Sequence, residues 1–124
     1  MPWLVKEDKV LASVETARPR RGPLLGAIGE QQIVGALMIA PARAAHSLRG
    51  NRAIDFAFLG LAHGEDHKQS TEECEYRVLR VVALEPNRIT KPELRAVAAL
   101  EAEAGAFERW GLVEGDTIRI ELRQ

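Results

Sequence analysis

Glu93-Leu94-Arg95-Ala96-Val97-Ala98-Ala99-Leu100-Glu101-Ala102-Glu103-Ala104 is the stretch on which the fold turns. Ala, Leu and Glu are strong helix formers, and propensity alone predicts one helix running to about Trp110. A second reading ends a strand at Ala104, breaks at Gly105 and places a short helix over residues 106–110. Packing overrides propensity in both helices and strands, so the rest of the chain has to weigh in.

Outward from that stretch the signals are those of strands. Gly115-Asp116 marks a turn before Thr117-Ile118-Arg119-Ile120-Glu121-Leu122, which alternates apolar and charged residues like a half-buried edge strand. On the other side, residues 76–84 carry Tyr76, Val78, Val82 and Leu84 on one parity, and Glu85-Pro86-Asn87-Arg88 reads as a turn. Residues 53–61 look like a buried strand holding one carboxylate, Asp55, and residues 33–40 like another, ended by Pro41. Residues 9–17 form a plausible early strand, broken by Arg18-Pro19-Arg20-Arg21-Gly22-Pro23. Residues 62–75, almost without apolar content, read as an exposed loop.

Composition bounds the function. The 124 residues have room for a single domain, with a core expected over about 9–122, and 46% hydrophobic content is enough to build it. Only six residues are aromatic, so that core must rely on Val, Ile, Leu and Ala. A net charge of −1 argues against a nucleic-acid partner, because neutralising phosphates needs clustered Lys and Arg. No apolar stretch reaches the ~20 residues of a spanning helix, so no membrane insertion is expected. Cys74 is the single cysteine, and the N-terminus lacks a basic start and apolar run. The expected location is the cytoplasm.

Several landmarks recur in a recognisable order: Arg21-Gly22 with Leu24-Leu25-Gly26; His46-Ser47 with Asp55 nine residues after His46; Glu101 with Gly105; and Gly115-Asp116 before a last strand. Together with Phe107 and Trp110-Gly111-Leu112, they resemble the uncharacterised prokaryotic family known as domain of unknown function 192, in its actinobacterial-type branch. The resemblance implies a mainly β protein, a compact sandwich or barrel of about six to eight strands with one or two short helices. It therefore favours a strand at about 97–104 and a short helix after it. The chain departs from the family pattern at Pro23, at Gly50 where Met is common, at Arg52 where an aromatic is common, and in the long 62–75 segment.

Three constellations could carry chemistry. His46 and Asp55 could share a hydrogen bond that fixes the imidazole tautomer, as a general base requires, or could simply pin a loop to the sheet. Arg18, Arg20, Arg21, Arg43, Arg49 and Arg52 could clamp an anion if their loops cluster, or could form a solvated rim. His63 and His67 with Cys74 have ligand character but no rigid frame, and no metal site or cofactor is expected. Glu101 and Glu103 share a face if extended, a pattern that usually means a solvated surface. Phe107, Trp110 and Leu112 read as core.

The resulting expectation is a non-enzymatic binding or accessory module for a small anionic or saccharide ligand, or for a partner protein. Its candidate ligand-binding residues are Arg21, His46, Ser47, Arg49, Arg52, Asp55 and Glu101. The alternative is a small hydrolase or acid–base enzyme centred on His46 and Asp55.

Overall fold

The computed structural model describes residues 2–17, 34–42, 53–62, 73–86, 88 and 90–122. They form strands β1 (Pro2–Lys6), β2 (Lys9–Ala17), β3 (Ala36–Ile39), β4 (Ile54–Leu61), β5 (Glu73–Leu84), β6 (Ala98–Glu103) and β7 (Thr117–Leu122), with one helix, α1 (Ala106–Trp110). The strands close into a barrel in the order β1-β2-β3-β6-β4-β5-β7, and β7 returns to pair with β1. All neighbours are antiparallel except β2 and β3. The mainly β expectation therefore holds, in its barrel form.

The helix-prone stretch becomes β6 because of where it sits. It pairs with β3 on one side and β4 on the other, and residues 98–102 are all buried. Alanine loses little as a strand residue there, since its small side chain lets two layers close over both faces. Ala98, Leu100 and Ala102 point into the barrel, while Ala99 points outward into a second apolar layer. The interior collects side chains from all seven strands, among them Leu4, Val14, Met38, Leu59, Val78, Leu100 and Ile118. Phe107 and Leu112, from α1 and just after it, join that interior cluster and close one end, as their aromatic and apolar character predicts.

Three expectations are corrected. Leu4 and Val5 are fully buried, so the core begins at β1 rather than near residue 9. Residues 73–75 are strand rather than loop, paired with Glu121, Ile120 and Arg119 of β7. Strand β7 is not an edge, because it is hydrogen-bonded to β1 and β5 at once. Closing the barrel removes the edge that its alternating pattern suggested. No helix among the described residues is long and apolar enough to cross a membrane.

The β1–β2 hairpin turns through Glu7 and Asp8, both at positive φ (50° and 64°), between Lys6 and its partner Lys9. Two consecutive left-handed residues make a turn that matches strand twist but favours Asn-Gly. Substituting Glu7→Asn together with Asp8→Gly should raise stability by about 1 kcal/mol, read as a shift in the urea midpoint. The Asp8–Arg119 contact (3.1 Å) is lost in that variant, but Asp8 is 94% exposed, so its loss should hardly offset the gain.

Candidate functional site

Strand pairing lays out the outer face of the barrel as a grid. One row runs Leu37, Glu101, Phe56, Val82 across β3, β6, β4 and β5; the next runs Ile39, Ala99, Phe58, Arg80. Apolar side chains dominate this face, with Ile39, Ile54, Phe56, Phe58, Leu84 and Ala99 all buried. Phe56 and Phe58 meet edge to face, their ring centres 4.9 Å apart. Such a layer on the outside of a barrel is one more surface removed from water, and it leaves little for a charge to interact with.

Glu101 sits inside that layer. It is 1% exposed, and its Oε2 is buried without a hydrogen-bond partner. Burial pushes its carboxyl up from 4.5 to about 7, because the ionised form loses its water and gains no compensating donor. Glu103, two residues along the same face, is exposed and meets Arg109 Nη2 at 3.3 Å. The two glutamates thus share a face, as their spacing predicts, but only Glu103 is solvated. For Glu101 the solvated-surface expectation is wrong.

Asp55 lies elsewhere. It shares the parity of the inward-facing Ala57 and Leu59, and its Oδ2 accepts hydrogen bonds from Gly105 N (3.1 Å) and Phe107 N (3.0 Å). Gly105 is the N-cap residue of helix α1 and has no side chain to cap it, so the carboxylate from β4 accepts from the cap N–H and a first-turn N–H instead. Gly111, in the left-handed conformation, ends the helix. Asp55 and Glu101 therefore occupy opposite faces of the sheet and do not converge.

Arg21, His46, Ser47, Arg49 and Arg52 lie outside the described residues, as do Arg18, Arg20, Arg43, His63 and His67. Cys74 is in β5. Among the described residues no group of three or more His, Cys, Asp or Glu gathers as metal ligands would. One feature has no counterpart among the sequence candidates: the Arg80 guanidinium lies 4.6 Å from the centre of the Phe58 ring. An arginine inside the apolar run Val78-Leu79-Arg80-Val81-Val82 was the available signal.

No family model matches this chain, and no curated protein matches it. A solved structure of a protein of unknown function from Novosphingobium aromaticivorans is similar, with a TM-score of 0.61. The match covers 94% of this chain and 81% of that one, at 18% identity. The two share a fold.

Proposed function

We propose that this chain is a non-enzymatic binding module and that Glu101 is the polar contact for a small, hydroxyl-rich ligand of saccharide type. One observation carries this reading: a carboxyl with a buried, unpartnered oxygen in an apolar layer. Such a group is expensive to keep, since an unmet buried acceptor costs about 1–3 kcal/mol. A ligand hydroxyl would meet it, and near neutral pH the carboxyl is available both to donate and to accept.

The proposal extends to membership of the family known as domain of unknown function 192, resting on the order of motifs from Arg21 to Asp116. Arg21, His46, Ser47, Arg49 and Arg52 are its further candidate ligand-binding residues, on their chemistry alone. Support for binding over an acid–base enzyme centred on His46 and Asp55 comes from Asp55 Oδ2, already committed to two backbone donors.

A thermal-shift series with glucose, trehalose and myo-inositol tests the reading. At fifty times Kd a ligand adds about 2 kcal/mol, a rise of several degrees in Tm for a chain of this size. Wild type should show that rise with at least one of the three, and Glu101→Gln should show none. Equal shifts in both proteins, or none in wild type, would overturn it.

A further inference from the structure

We propose that the cleft at the C-terminal end of β5 is a separate site for a small organic carboxylate, with Arg80 as its anchor. The cleft has a volume of about 460 Å³ and is lined by Arg80, Val82, Leu84, Arg88, Thr90 and Lys91, with Glu85 also on its wall. Three cationic residues and one acidic residue thus line a partly apolar floor, and of these Arg88 and Glu85 already make contacts of their own. That combination selects a negative head attached to a hydrocarbon body.

Arg80 is held in place before any ligand arrives. Its guanidinium is stacked on Phe58, and Nη2 donates to the Lys91 carbonyl at 2.5 Å. Strand pairing fixes its root, opposite Phe58 and beside the bulge between Phe58 and Leu59. The cation pays little rotamer entropy on binding when ring and carbonyl already clamp it. What it lacks is an anion: Nη2 donates to a carbonyl, and none of its contacts in the described structure is with a carboxylate. A guanidinium with donors to spare, set in a cleft, matches a planar carboxylate in two-point geometry. A compact inorganic anion would satisfy the charge but leave the half-buried Val82 uncovered.

This site is independent of the one proposed at Glu101. Arg80 lies two strands and one row away on the same face, roughly 12 Å at ordinary strand spacings.

Sodium benzoate is the probe, followed by amide proton–nitrogen NMR of the full chain. Saturable shifts clustered on residues 80–91, with millimolar Kd, are expected for wild type. Benzyl alcohol, the neutral counterpart, should give none, and inorganic phosphate should bind at least several-fold more weakly than benzoate. Arg80→Lys keeps the charge but loses the fork, and should weaken benzoate roughly tenfold. Glu101→Gln should leave benzoate binding unchanged. The proposal is overturned if benzoate fails to saturate, or if Arg80→Lys binds as wild type does. It is equally overturned if phosphate matches benzoate, or if Glu101→Gln abolishes the shifts.

Discussion

Replacing Glu101 with methionine should stabilise the protein at pH 8 by about 3 kcal/mol, roughly 10 °C in Tm, and by far less at pH 5. The cause is the gap between the carboxyl in the unfolded chain, near 4.5, and in the fold, where burial pushes it up to about 7. Between those values the folded protein keeps a proton that the unfolded chain has released. Stability therefore falls as pH rises through that window and levels off above it. Each tenfold in proton affinity corresponds to about 1.4 kcal/mol, which sets the size of the loss. Methionine follows a similar unbranched path, has no charge to desolvate, and should remove this contribution to the pH dependence altogether. Urea unfolding of both proteins at pH 5, 6, 7 and 8 reads the difference. Parallel curves at all four would show that Glu101 is solvated in the native state.

That result would also explain why a destabilising residue is present. A binding contact that costs stability when empty is what a stability–function trade-off looks like. On the function proposed above, Glu101→Met should gain stability and show no thermal shift with saccharides.

The second large effect should come from Asp55. Asp55→Ala should lower stability by about 2–3 kcal/mol, because it strips the acceptor from the N-cap N–H of Gly105 and the first-turn N–H of Phe107. Helix α1 supplies Phe107 to the barrel interior, so a loosened first turn also loosens the end of the core. Asp55→Asn keeps an acceptor and should cost no more than about 1 kcal/mol. Thermal melts of the three proteins decide it. A melting point for Asp55→Ala equal to that of wild type would remove the anchoring role and return Asp55 to the catalytic candidates.

Much of the fold was legible where local pattern and tertiary demand agree. The alternation of 117–122, the turn at Gly115, and the Gly105 break before residues 106–110 all appear where the chain places them. Strand β6 was legible only through the order of motifs, because five consecutive buried positions erase the period-two signal. Strand β1 was missed since Pro2-Trp3-Leu4-Val5 is too short to show a period, and only pairing with β2 and β7 defines it. The start of β5 was missed for the opposite reason: Glu73, Cys74 and Glu75 look like loop, and ladder bonds to β7 hold them extended.

Of the candidate site, the sequence draws attention to Asp55 and Glu101, but neither the burial of Glu101 nor the separation of the two carboxylates is legible in it. Whether two such groups meet depends on which side of the sheet each one takes, and that follows from the register of β4 against β6. The contrast between buried Glu101 and exposed Glu103 has the same origin, since residues of equal parity differ only in how far the apolar layer extends over them. Arg80 escaped because an arginine in a strand reads as surface until a ring is found beneath it.

The most direct test is to follow the side-chain carboxyl carbon of Glu101 by carbon-13 NMR from pH 4 to pH 9. The buried, unpartnered state predicts an inflection near 7. An inflection near 4.5, where a solvated glutamate titrates, would contradict it.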